Sequence, residues 1–381
     1  LQSRGLGDVY KRQVLLAPVA VQAQDSDIEL LRAAIDELRA DYDGRIAELE
    51  RRLAVAEQNA AQSSYTAQAP VAEASAQRSG NAAFNPAIGV VFQGRLWGVE
   101  GPASESEGLA VGETELIMNA NVDDKFAAYL TAALAFEDGE AELELEEVWV
   151  ETTALPAGFG ARFGRISSGI GYLNTKHSHQ WDFADLPLPY QAFFDGRYTD
   201  NGVRLTWLAP TDLYMEVGGE LLQGEGDPSG IAASTMFANV GGDVGASNSW
   251  LAGASYLERD QLDSLSTAHF VWKWAPQGNW KARNFIFQTE YFDHSDVGID
   301  GGWYAQAVYQ PIERWRVGAR ADGLMTDSED PRRYSVMLDW SNSEFSRLRM
   351  QFTRDESGFE DRNEWGLQYI HSIGAHGAHS F

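Results

Sequence analysis

The chain has 381 residues, no cysteine and a formal net charge of −27. Those figures argue against a nucleic-acid partner and rule out disulfides, thiolate metal sites and cysteine nucleophiles. Aromatic residues make up 12% and glycines number 37, yet no apolar run reaches the length of about 18 that a membrane helix needs, a combination that fits a membrane barrel.

Residues 1–23 read as a non-native start followed by a signal-peptide remnant. The first thirteen residues carry no Met, Val14–Val21 reads as the tail of a signal h-region, and Val21 and Ala23 occupy the small-residue cleavage positions. Residues 24–56 predict a coiled coil. Ile28, Leu31, Ile35, Leu38 and Tyr42 alternate three and four apart, and Ile46, Leu49, Leu53 and Ala56 continue the seam after a stutter. The mixed-charge polar face points to self-association, with a trimer expected, rather than to a membrane-surface helix. Residues 57–83, rich in Ala, Gln, Ser and Asn, read as a flexible linker.

Over residues 84–381 the period changes to two. Ile88, Val90 and Phe92 oppose Gln93 and Arg95; Leu213, Met215 and Val217 oppose Tyr214, Glu216 and Glu220; Leu348, Met350 and Phe352 oppose Arg347, Arg349 and Gln351. Alternation alone fits a soluble sandwich as well as a barrel. The connections separate them. Short turns at 123–124, 155–158, 209–212, 275–278, 310–313 and 341–344 alternate with longer, acidic connections at 99–108, 165–201, 223–233, 258–265, 292–301, 325–331 and 354–362. The connection at 137–141 is short. The pattern predicts an all-β transmembrane barrel of about 16 antiparallel strands. Both termini, and with them the coiled coil, would lie in the periplasm. Trp365, Leu367, Tyr369 and Ile373 share one face of the last strand, and the chain ends in Phe381, as many outer-membrane barrels end on an aromatic residue.

Coiled coil, linker and barrel together resemble the phosphate-selective porin family in the broad sense. The segments FNPAIGVVFQGR (84–95), ELEEVWVET (144–152), GRISSGIGYLNTKHSHQWDF (164–183) and GAHGAHSF (374–381) more closely resemble an uncharacterised proteobacterial group of outer-membrane proteins, some labelled zinc-regulated or TonB-dependent. The resemblance implies a location among outer-membrane lipid and lipopolysaccharide and passive diffusion of small hydrophilic solutes or ions. Two departures stand out. Five Lys and a charge of −27 do not suit phosphate selectivity, and residues 57–86 are too few for the plug of a TonB-dependent receptor, which would need about 22 strands.

Within the barrel the charges segregate. Glu113, Glu115, Glu147, Glu151, Glu216 and Glu220 fall on the earlier strands, an acidic wall; Arg316, Arg320, Arg333, Arg347 and Arg349, joined by Arg95 across closure, form a basic wall. Facing inward, the walls would set up a transverse field that orients dipolar solutes; alternatively these groups pair across strands. The connection 165–201 carries Tyr172, Trp181, Phe183 and Tyr190, and so aromatic a loop is expected to fold inward and constrict the pore, or else to cap the barrel. His177, His179, Asp182 and Asp185 form a candidate zinc site within it, set against a purely hydrogen-bonded role. His376 and His379 are a second His pair, placed near the periplasmic end. Glu146 and Glu147 should point to opposite faces. No enzyme motif stands out, so a non-enzymatic protein without an obligate cofactor is expected. The leading expectation is a diffusion channel; the alternatives are a zinc-linked binding or uptake protein and a structural anchor with a plugged barrel.

Overall fold

The computed structural model describes residues 86–100, 107–137, 140–224, 230–259, 264–294, 298–327, 330–358 and 361–374. The signal, coiled-coil and linker readings, together with His376, His379 and Phe381, lie outside these residues.

Among the described residues seventeen strands run in chain order: β1 (Ala87–Glu100), β2 (Gly108–Val111), β3 (Thr114–Asn121), β4 (Phe126–Glu137), β5 (Glu140–Thr152), β6 (Phe159–Ser167), β7 (Thr199–Leu208), β8 (Tyr214–Leu222) and β9 (Ala233–Val244). They continue through β10 (Asn248–Arg259), β11 (Ser264–Trp274), β12 (Asn284–His294), β13 (Ile299–Ile312), β14 (Trp315–Thr326), β15 (Arg332–Ser343), β16 (Ser346–Glu356) and β17 (Arg362–Gly374). From β3 onward each pairs antiparallel with the next, and β1 closes the sheet against β17, from Gly89 opposite Gly374 to Glu100 opposite Asn363. On its other edge β1 pairs with β2 along Gly94–Trp97 and with β3 along Ala87–Val91. β2 and β3 are therefore two halves of one stave, interrupted at Gly112 and Glu113. The result is a closed barrel of 16 staves. Closure joins the first and last staves, as spanning a bilayer with β structure requires, while β5 meets β6 only from Val148 to Glu151.

The two faces are inverted relative to a soluble protein. Outward-facing Leu143, Met236 and Phe163 are 72%, 70% and 68% exposed, whereas inward-facing Glu115, Arg349 and Gln351 are 0%, 0% and 1% exposed. Each large apolar side chain gains about 1.5–3 kcal/mol on leaving water, so the outer band is stable only against lipid. Turn chemistry differs from expectation at two places. The turns predicted at 310–313 and 341–344 reverse later, at Glu313–Arg314 and Glu344–Phe345. Register shifts after Tyr309 and Trp340 absorb Pro311 and Ser341–Asn342, and Arg314 takes a φ of 72°. A further short turn joins β9 to β10 at 245–247.

One irregularity matters for the lumen. Thr131 pairs with Glu147, but Ala132 pairs with Leu145, so Glu146 is an extra residue, a β-bulge. The bulge turns both carboxylates inward, with Glu146 9% and Glu147 6% exposed. The expectation of opposite faces is corrected, because strict alternation holds only while the ladder is unbroken.

The long connection runs from 168 to 198, β6 extending to Ser167 and β7 beginning at Thr199. It enters the barrel instead of projecting from it. Two short 3-10 turns, Leu173–Thr175 and Ser178–Gln180, precede a helix, α1 (Leu188–Phe194), which packs on β13 and β14. Ile170, Leu173 and Tyr190 join Phe292 and Tyr304 in a buried apolar cluster. Asn174 ties the connection's two ends together: its Nδ2 donates to Ser168 O and Tyr198 O, both at 2.8 Å, and its Oδ1 accepts from Tyr198 N at 2.6 Å.

Candidate functional site

The first half of the connection lies against the acidic wall. His177 sits between the two bulge carboxylates, with Nδ1 3.1 Å from Glu146 Oε2 and Nε2 3.0 Å from Glu147 Oε2. Burial opposes a charge on His177, but the hydrogen bonds to Glu146 and Glu147 outweigh it and hold the imidazole's pKa at about 9. His179 Nδ1 lies 2.9 Å from Glu115 Oε1, and Ser178 Oγ donates to the same oxygen at 3.1 Å. Arg197 Nη2 donates to Glu146 Oε1 at 2.8 Å. Further along this wall, Glu220 accepts from Ser168 Oγ at 2.6 Å, Gly169 N at 2.9 Å and Arg204 Nε at 2.5 Å.

The second half lies against the basic wall. Asp182 Oδ1 accepts from Arg316 Nη1 at 2.8 Å; Asp185 Oδ2 accepts from Arg320 Nη2 at 2.8 Å and lies 3.2 Å from Arg333 Nη2. Burial would raise the Asp185 carboxyl, but Arg320 and Arg333 outweigh it and hold it at about 2. Backbone oxygens contribute as well: Arg347 Nη2 donates to His179 O at 2.7 Å and Arg349 Nη2 to Trp181 O at 2.6 Å. The wall also carries its own counter-charges, Asp322 and Asp339, neither foreseen from the sequence. Asp322 accepts from Arg320 at 2.9 Å and Arg333 at 3.2 Å; Asp339 accepts from Arg349 at 3.0 Å and from Arg316.

The connection thus matches both walls in charge, imidazoles and a guanidinium toward glutamates and aspartates toward arginines. This separates the four residues grouped by spacing: His177 and His179 go to β3 and β5, while Asp182 and Asp185 go to β14 and β15. They do not form one metal set. Of the other wall residues, Glu113 sits at the break between β2 and β3 and shares a hydrogen bond with Glu146. Glu151 pairs with Arg162 at 2.5 Å, Glu216 accepts from Tyr214 Oη at 2.8 Å, and Arg95 is exposed opposite Gln368. Of the aromatics, Phe183 and Tyr190 are 1% and 0% exposed. Phe183 lies under the Arg320 guanidinium, Tyr190 Oη donates to Glu290 at 2.9 Å, Trp181 Nε1 donates to Lys176 O at 2.9 Å, and Tyr172 packs on His269.

On the short-turn side the connection roofs a cavity of about 760 Å³. Tyr172 and Lys176 form part of its lining, with Arg162, Arg204, Glu216 and Trp250. Burial beside Lys273 lowers the Lys176 pKa to about 8. His269, also on this lining, is 8% exposed and neither ring nitrogen has a hydrogen-bond partner. Nothing in the β11 alternation separates that histidine from a satisfied one.

No protein-family model matches the chain. The barrel is similar to Pseudomonas putida OprB, with TM-score 0.55 and 8% identity over 76% of this chain and 94% of that one. It is similar to the outer-membrane channel DcaP of Acinetobacter baumannii, with TM-score 0.54 and 11% identity over 76% of this chain and 97% of that one. It also resembles a trimer form of the Vibrio cholerae outer-membrane protein OmpT, with TM-score 0.51 and 12% identity over 76% and 99%. At those identities the likeness is one of fold, that of outer-membrane porins. The sequence itself is 30% identical over 354 residues, 77% of this chain and 74% of the other, to an uncharacterised protein of Aquifex aeolicus (strain VF5). The closed 16-stave barrel thus has the porin fold, and by sequence the chain belongs to the family of that Aquifex aeolicus protein.

Proposed function

We propose that the protein is an outer-membrane, porin-like channel for passive diffusion of small hydrophilic solutes or ions, with residues 168–198 as its constriction. The observation that carries this reading is the double anchoring of that segment, by His177 and His179 on one wall and Asp182 and Asp185 on the other. A segment held from both sides divides the lumen into two compartments, and the turn-side cavity is one of them. The acidic and basic walls act mainly as the segment's binding surfaces, since most of their charges are spent on it or on each other. A field left over for solutes comes from groups that keep exposure, Arg95 among them. The barrel similarity and the trimeric form of one structural relative support a homotrimer.

The buried network between segment and walls also favours a second reading, a plugged barrel that serves as an anchor. Planar-bilayer recording of the refolded full chain separates the two. Stepwise, ohmic conductance increments support the channel. A barrel that inserts yet stays silent contradicts it and supports the anchor.

A further inference from the structure

Four carboxylates, those of Glu113, Glu115, Glu146 and Glu147, meet behind the first half of the inward segment, where the Arg197 guanidinium pairs with Glu146. The His177 ring lies between Glu146 and Glu147 and is the other cationic partner of the cluster, a place that a metal ion bound to the ring would take over. Three of the side chains there hold one atom toward an outer partner and turn the second toward a common point. Glu115 Oε1 accepts from His179 and Ser178, while its Oε2 is buried and has no hydrogen-bond partner. Glu146 Oε1 accepts from Arg197, and its Oε2 faces the His177 ring. His177 Nε2 lies 3.0 Å from Glu147 Oε2, and its Nδ1 is turned toward Glu146 and Glu115. The remaining atoms converge: Nδ1 is 3.1 Å from Glu146 Oε2 and 3.5 Å from Glu115 Oε2. Glu115, Glu146 and His177 are all buried, and each offers a ligand atom within 4.8 Å of the other two.

A tetrahedral ion with bonds of about 2.0–2.1 Å holds its ligand atoms roughly 3.3–3.4 Å apart. The two distances from Nδ1 fall on either side of that value. A metal-bound imidazole also gives its other N–H to a carboxylate, which fixes the ring. Glu147 stands in that position.

We propose that Glu115, Glu146 and His177 bind a divalent transition-metal ion of the Zn²⁺ class, with Glu147 as the outer carboxylate that orients His177. One imidazole and two carboxylates suit such an ion better than Ca²⁺ or Mg²⁺, which prefer an all-oxygen shell. Two ligands come from the wall and one from the inward segment, so the ion fastens that segment to β3 and β5. The assignment stands independently of the channel reading.

The test uses the full chain, refolded in detergent, stripped with chelator and checked for folding by heat-dependent gel mobility. Zn²⁺ is titrated by calorimetry and Co²⁺ by visible absorption. The wild type should bind one Zn²⁺ that His177→Ala loses, and should show the intense d–d bands of tetrahedral Co²⁺, which His177→Ala lacks. Glu147→Gln should bind about 10–100-fold more weakly with unchanged stoichiometry. His376 and His379 are present in every variant, so binding at the tail would appear as an unchanged titration in His177→Ala. That result, or a wild type that binds no metal, overturns the proposal. If His177→Ala does not fold, Glu147→Gln decides: weakened binding supports the site and unchanged binding overturns it.

Discussion

Asp185 Oδ2 lies 2.8 Å from Arg320 Nη2, joining the inward segment to β14 across 135 residues of sequence. Arg320 is 3% exposed, and Arg333 approaches the same carboxylate at 3.2 Å. The pair ties the segment to the basic wall through a carboxylate and so makes that hold responsive to acid.

The Asp185 carboxyl is held at about 2, below an unfolded value of about 4. A depressed carboxylate contributes its full stabilisation above the unfolded pKa and loses it as pH falls through the folded one. The segment should therefore stay anchored at neutral pH and loosen between about pH 4 and pH 2. Current noise in bilayer recordings should rise over that window in the wild type, while Asp185→Asn should be noisy at neutral pH and lack the acid step. A wild type as quiet at pH 2.5 as at pH 7 would contradict this.

Asp339 accepts from Arg349 at 3.0 Å, and both residues are 0% exposed. Removing one member of a buried pair leaves the other uncompensated, at a cost of about 3–5 kcal/mol. Asp339→Asn should lower the urea midpoint of barrel unfolding by a corresponding amount. Glu313→Gln, at the exposed Glu313–Arg314 contact of 3.8 Å, should leave the midpoint within error.

Gly366 faces Trp97 across the β1–β17 seam, and a Cβ there would fall 1.9 Å from the Trp97 ring. Overpacking of this kind typically costs about 1–3 kcal/mol. Gly366→Ala should destabilise the closure of the barrel, read as a lower temperature for loss of the compact gel band. At Gly219 the nearest neighbour would be Thr235 O at 3.8 Å, so Gly219→Ala should behave as wild type.

Much of this fold is written in single strands. Leu213, Met215 and Val217 alternate with Glu216, and the pleat alone assigns them to opposite faces. The Glu146 bulge has a trace in β5 itself, where the apolar positions change from odd (Leu143, Leu145) to even (Val148, Val150) across the adjacent Glu146 and Glu147, but only the register against β4 shows which residue is the extra one. The sequence likewise groups His177, His179, Asp182 and Asp185 by proximity, but two 3-10 turns and the charges of the walls send them apart. Asp322 and Asp339 had a signal that went unread: each shares its strand face with an arginine of the basic wall, Arg320 and Arg333 respectively. His269 had none, since its unpartnered nitrogens depend on what surrounds them in three dimensions.

The claim on which the functional reading rests is that residues 168–198, held from both walls, set the width of the passage. Single-channel conductance of the quadruple variant His177→Ala, His179→Ala, Asp182→Ala and Asp185→Ala tests it most directly against the wild type in the same bilayer. Release from both walls should raise conductance several-fold and, by freeing Arg316, Arg320 and Arg333, shift selectivity toward anions. A folded, inserted variant with the wild type's conductance and selectivity would contradict it.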